Sequence, residues 1–164
     1  MTDTQPIKQP VLPLTVVSDT FSVTAEWFTV AKPVPTAKDN TTQLGVHFEE
    51  VAEMLDAVVA TSANSAMLLR DAKLAMHALA EHTKAQGDIY VPHHMRKAML
   101  DALCDQIVTA VGVAHTNGMH IVPALAEVNR SNFSKFVDGK PLLNEDRKII
   151  KGPQYSAPDL TPFC

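Results

Sequence analysis

The sequence predicts an all-α protein, a helical bundle of about five helices with a proline-rich N-terminal arm and an irregular C-terminal tail. Three observations predict it. Apolar residues recur at helical spacing between residues 20 and 136. A Pro or Gly stop follows four of the five such runs, at Pro33 and Pro35, Gly87, Asn117-Gly118 and Asp138-Gly139. Prolines also gather at the two ends, as Pro6, Pro10 and Pro13 and then Pro141, Pro153, Pro158 and Pro162. At 164 residues the chain fits one domain, and 46% hydrophobic residues suffice for a core.

Residues 1–17 read as an extended arm, because each proline lacks a backbone donor and disfavours helix in the residue before it. Ser18 or Asp19 caps a first helix, with Phe21, Trp27, Phe28 and Ala31 on its apolar side; core packing is the expected fate of Trp27 and Phe28. Asn40, Thr41 or Thr42 caps a second helix with an apolar stripe of Leu44, Phe48, Val51, Ala52, Leu55, Val58 and Val59. Ser62 to Ser65 break the chain before a third helix carrying Met67, Leu68, Leu74, Met76, Leu79 and Ala80. After a Tyr90-Val91-Pro92 linker, a fourth helix over 94–116 turns Met95, Met99, Ala102, Leu103, Val108 and Val111 inward. Pro123 suits the first turn of a fifth helix with Leu125, Val128, Phe133 and Phe136. Residues 18–138 thus form the helical domain. Residues 139–164 form a tail, with a short hairpin near Lys148 to Lys151, packing on the domain or on a neighbouring subunit.

Composition narrows the function. A net charge of -4 gives no basic face for a nucleic-acid backbone, and 5% aromatics are too few for a base-stacking platform. The N-terminal residues lack the basic start and apolar run of a signal peptide, and no apolar stretch approaches the roughly 18–20 residues that cross a bilayer. Cys104, read as a buried inert thiol, and Cys164 make a poor disulfide framework, so a soluble cytoplasmic protein is expected. No phosphate loop of the G-x-x-x-x-G-K-[ST] type and no H-E-x-x-H occurs. The adjacent His93 and His94 are a poor chelate, and the methionines Met54, Met67, Met76, Met95 and Met99 read as core filling.

The acids are distributed more tellingly. No Lys or Arg lies between Lys38 and Arg70, yet Asp39, Glu49, Glu50, Glu53 and Asp56 do; the same holds between Lys97 and Arg130 for Asp101, Asp105 and Glu127. Glu49, Glu53 and Asp56 stack on one helix face, and Asp101 and Asp105 do so on another. Like charges at that spacing cost roughly 0.2–0.5 kcal/mol per pair. If the two helices lie side by side, the carboxylates share a cleft, and a hard cation such as Mg²⁺ or Mn²⁺ relieves them. The plainer alternative is a pair of solvated acidic faces.

Glu49-Glu50-Val51-Ala52-Glu53 is an E-E-x-x-E run, followed a helix later by an acidic segment ending in Asp105. This resembles the all-α NTP pyrophosphohydrolase superfamily, the MazG-like and phosphoribosyl-ATP pyrophosphohydrolase-like proteins, whose signature is E-E-x-x-E on one helix and E-x-x-D on another. Residues 43–50 (Gln43 to Glu50) and Asp101 to Asp105 are similar to a branch often met in phages, as are Ser131-Asn132-Phe133-Ser134-Lys135 and the tail from Lys151 to Leu160. The match in order and spacing covers residues 20–160. One departure stands three before Asp105, where the superfamily has Glu and this chain has Ala102.

The resemblance implies hydrolysis of a (deoxy)nucleoside triphosphate between the α- and β-phosphates, giving a monophosphate and pyrophosphate. It implies Mg²⁺, with Mn²⁺ as a substitute, held by Glu50, Glu53 and Asp105; Asp101, on the same face as Asp105, is the candidate either to replace the missing Glu or to reach the ion through water. Glu49 and Glu50 are the catalytic candidates, Glu49 orienting or deprotonating the water. Lys135 with Asn132, then Lys148 and Lys151, are candidates for the phosphate tail, and His47 for a substrate contact. The family implies a homodimer or homotetramer, located in the host cytoplasm if the gene is viral. The rival expectation is a catalytically silent helical module that binds a nucleotide or a protein and keeps part of the acidic set.

Overall fold

The computed structural model describes residues 20–145 and 147–164. The fold is all-α, as the periodicity predicts, with α1 (Thr20–Ala31), α2 (Ala37–Asp56), α3 (Ala63–Gln86), α4 (Arg96–Thr116) and α5 (Ile121–Phe133). A 3-10 turn (His93–Met95) precedes α4, and another (Thr161–Phe163) lies in the tail. A small ladder pairs β1 (Leu142–Leu143) with β2 (Ile149–Ile150), which is the hairpin expected in the tail. The expected arm over residues 1–17 and the cap at Ser18 or Asp19 fall outside the described residues. The chain divides into two compact units, one of residues 32–92 and 143–149, the other of 20–31, 93–142 and 150–164.

In the first unit, α2 begins earlier than the Asn40 to Thr42 cap expected from sequence. Thr36 is the cap: its hydroxyl accepts from the Asp39 amide at 3.2 Å, and the Asp39 carboxylate accepts from the Thr36 amide at 2.9 Å. This is a capping box with Asp in the acidic position. Thr41 and Thr42 become buried helix residues. The helix also ends before Val58 and Val59, which lie exposed in the turn where the chain reverses toward the Ser62 cap of α3. Gly87, at φ 70°, closes α3.

The α2–α3 pair is an antiparallel helical hairpin held by close approach, not by large side chains. Gly45, Ala52, Ala80 and Thr83 are buried along it. A Cβ on Gly45 would stand 2.5 Å from Lys84 Cγ and 2.8 Å from the Ala80 carbonyl oxygen, so the helices touch there because glycine lets them.

The second unit centres on Trp27 of α1. Its ring stacks on Phe136 with centroids 5.7 Å apart and meets Phe28 edge-on at 4.9 Å; Phe133 meets Phe136 edge-on at 5.8 Å. Buried Asn129 of α5 donates to the Thr20 carbonyl at 2.9 Å, and its side-chain oxygen accepts from Thr24 at 3.0 Å. Tail residues fasten to α5 and its ends: the Asp159 amide donates to Glu127, the Gly152 amide to the Lys135 carbonyl, and the His120 amide to the Phe163 carbonyl.

Helix α4 departs from the expected inward stripe. Ala114 is its one buried residue, while Met95, Leu100, Ile107, Val108, Val111 and Val113 are exposed. The reason is length and distribution. The 21 residues of α4 extend about 30 Å, whereas α1 and α5, with 12 and 13 residues, cover less than about 20 Å. Cys104 is exposed too, against the expectation of a buried thiol, and Met54, Met67 and Met95 are exposed instead of filling a core. No helix among the described residues is long and apolar enough to cross a membrane.

Asp39 is the electrostatic centre of the first unit, with 4% of its side chain exposed. Arg147, from the loop between β1 and β2, donates to it through Nε at 3.0 Å and Nη2 at 2.9 Å, and Lys32 Nζ stands 2.5 Å away. The Arg147 hydrogen bond, then those of Lys32 and Thr36, outweigh burial and hold this carboxyl far below the ordinary aspartate range.

Two stability outcomes follow from this packing. Gly45→Ala forces α2 and α3 apart and is expected to cost about 1–3 kcal/mol in denaturant unfolding; an unchanged midpoint would show that the contact is not tight. Asp39 is depressed in the folded state, so its contribution is complete above the unfolded value of about 4 and is lost as pH falls below it. Asp39→Asn should therefore cost about 3 kcal/mol at pH 7 and flatten the loss of stability between about pH 5 and pH 2. Parallel acid limbs for the two proteins would contradict the assignment.

Candidate functional site

The E-E-x-x-E run lies in the second half of α2, on continuous helix. Glu49 is half-buried, and Glu50 and Glu53 are exposed. Helical geometry puts Glu49 and Glu53 one turn apart on one face and sets Glu50 about 100° round the axis from Glu49. Phase is fixed from the start of the helix by the Thr36–Asp39 cap.

Beyond Lys38, α2 carries no Lys or Arg of its own, and those that meet its acids arrive from elsewhere in the same unit. Lys84 of α3 donates to Glu49 Oε2 at 3.1 Å and pairs with Glu81 at 2.6 Å. Lys148, from the loop between β1 and β2, places its Nζ 3.6 Å from the same Glu49 oxygen. Lys73 of α3 pairs with Asp56, while Lys38, in the first turn of α2, donates to the Lys84 carbonyl at 2.6 Å. The sequence expectation of acids without compensating bases is thus corrected for Glu49 and Asp56. Glu127 is compensated as well, by Arg130 at 2.7 Å, and its carboxyl is lowered to about 2 by Arg130 and the Asp159 amide.

Charge on Glu49 is tuned by this company. Burial, the largest influence, pushes the carboxyl up, but the Lys84 hydrogen bond and the charges of Lys148 and Lys84 together hold it below the ordinary glutamate value. Lys84 responds in kind: burial lowers it, and Glu81 and Glu49 more than restore it.

The other expected site residues are more dispersed. Asp101 and Asp105 stand exposed on α4, in the other compact unit, one turn apart. Asn132 and Lys135 lie at the end of α5 in that unit, where Lys135 Nζ donates to Asn132 Oδ1 at 2.7 Å. Lys151 sits over the Tyr155 ring, 4.5 Å from its centroid. His47 is half-buried on α2, two residues before Glu49. Of the expected residues, Glu49 and Lys148 come from separate segments and meet directly.

Carboxylate oxygens are the donors that Mg²⁺ and Mn²⁺ take. Among the described residues, however, no group of three or more His, Cys, Asp or Glu side chains is close enough to hold a metal ion. The α2 acids fit such an ion in donor type and fall short in donor number.

Sequence reasoning missed Lys84, Lys73 and the Asp39–Lys32–Arg147 cluster. The first two carry no local signal, since their partners are 35 and 17 residues away. The third had one, the Thr36-x-x-Asp39 spacing of a capping box.

No protein-family model matches this chain, and neither does any curated protein or solved structure.

Replacing Lys84 by Met keeps the aliphatic stem that packs on Gly45 and removes the charge. The Glu49 carboxyl is then expected to titrate at higher pH, and about 1–2 kcal/mol of stability should be lost at neutral pH. Glu49 is depressed in the folded state, so that loss shrinks as the solution is acidified below about 4. Carbon-detected titration of the Glu49 carboxyl checks it; an unmoved midpoint would mean that Lys148 alone sets its charge.

Proposed function

We propose that the protein is a Mg²⁺-dependent nucleoside triphosphate pyrophosphohydrolase, releasing pyrophosphate and a nucleoside monophosphate, with Mn²⁺ as a substitute ion. The observation that carries this reading is the second half of α2. Three carboxylates at i, i+1 and i+4 lie on one unbroken helix, and two lysines from other segments reach its Glu49 end. A triphosphate with its ion needs that mixture: anionic oxygens for the cation and cationic groups for the phosphates.

In this reading Glu50 and Glu53 would contribute oxygens to the ion, and Asp101 and Asp105 are carried as ligands by the sequence resemblance alone. Such an ion would supply charge neutralisation at the reacting phosphate. Glu49, held anionic by its lysines, orients the attacking water, and Lys148 exchanges Glu49 for a phosphate oxygen. Lys135, Lys151 and His47 are further substrate contacts.

Assembly into a homodimer or homotetramer belongs to the same proposal. The exposed Leu100, Val108 and Val113 of α4 support it, because burying them needs surface beyond α1 and α5.

A second reading is favoured by one observation. A Glu49 already engaged by Lys84 and Lys148 suits a silent nucleotide- or protein-binding module as well as an enzyme. Incubation with a panel of nucleoside triphosphates and Mg²⁺ separates them. The enzyme releases pyrophosphate from at least one, and Glu53→Gln reduces that release by about a hundredfold or more. Without metal, Glu53→Gln should melt at the same temperature as the parent or slightly higher, since a like-charge pair is removed. No release from any nucleotide favours the module.

A further inference from the structure

An apolar cleft of about 610 Å³ opens between α1, α4 and α5, within one compact unit and on residues outside the proposed site. Phe21 of α1, Ile107 and Val111 of α4, and Val122 and Leu125 of α5 line it, together with Thr20, and no charged side chain does. Four of these residues, Phe21, Ile107, Val111 and Val122, are between 43% and 55% exposed, so the cleft presents apolar surface to water. Thr20 contrasts with them. It is 8% exposed, and its hydroxyl is buried without a hydrogen-bond partner among the described residues.

We propose that this cleft is the seat of residues 11–17 of the same chain, Val11-Leu12-Pro13-Leu14-Thr15-Val16-Val17. Four features on the page select that occupant. The segment ends three residues before Thr20, which is itself part of the wall, so about 10–30 Å of extended chain reaches any part of the cleft. Being tethered, it is present at a local concentration of about millimolar, ahead of any free partner. From Gln9 to Ser18 it carries no charge and offers five branched apolar side chains to an uncharged wall. Finally, Pro10 and Pro13 favour an extended backbone, whose amides and carbonyls have no local partners. Such a backbone can satisfy the Thr20 hydroxyl, whereas an incoming helix has already used its own backbone groups.

Hydrogen exchange on the full chain, read by mass spectrometry, tests this. Amides of residues 11–17 should exchange at least about tenfold more slowly than in a free peptide of that sequence, independently of protein concentration. Val111→Asp, at an exposed position of the wall, should abolish that protection while α2 and α3 exchange as before. Leu14→Asp, which leaves every wall residue in place, should raise binding of an apolar dye to the cleft. Unprotected amides overturn the proposal. Protection that rises with protein concentration assigns the cleft to a second copy and overturns it too, as does protection that survives Val111→Asp. Should Val111→Asp fail to fold, unchanged dye binding by Leu14→Asp overturns it alone.

Discussion

A single buried carboxylate orders one half of this protein. Asp39 receives hydrogen bonds from the Thr36 amide, the Thr36 hydroxyl, Lys32 and Arg147, so that the charge is repaid for its loss of water by partners from two stretches of chain. Two consequences reach the candidate site. The cap fixes where α2 begins, and helical phase then decides that Gly45 and Ala52 face α3 while Glu49, Glu50 and Glu53 turn outward in varying degree. The grip on Arg147 also fixes the loop between β1 and β2, which places Lys148 at Glu49. An interaction ten residues upstream of the acids thus sets their company.

That company changes the chemistry on offer. A carboxylate beside two ammonium groups is a stable anion and a weak proton acceptor, so Glu49 serves better as an acceptor that orients a donor than as a group that removes a proton. Glu50 and Glu53 lie exposed to water on the same helix. The acids on α2 therefore differ in character despite their identical or near-identical side chains, and the difference comes entirely from α3 and the hairpin loop.

Much of the helical framework was legible from sequence because stop signals act locally. Pro33, Gly87 and Asn117-Gly118 end helices where expected, and Ser62 starts one. The start of α2 was misplaced because three good capping residues, Asn40 to Thr42, follow the true cap and mask it. Charge compensation was illegible for a different reason. A scan along the chain sees i, i+3 and i+4 neighbours, and Lys84 and Lys148 meet Glu49 across helices and loops. Apolar periodicity in α4 showed that the helix has faces to bury, but periodicity carries no information on whether the same chain supplies enough surface to bury them. Cys104 was misjudged by the same step.

The loop residue Arg147 sits at φ 61°, a left-handed conformation in which glycine is the comfortable choice. A backbone-guided redesign for thermal tolerance would put glycine there first, and at most such positions it would be right. Here the substitution would ease one dihedral and strip the acid beneath it of its guanidinium partner, trading a small local gain for a larger remote loss. Conformational preference and electrostatic duty pull in opposite directions at this residue, and the latter has prevailed.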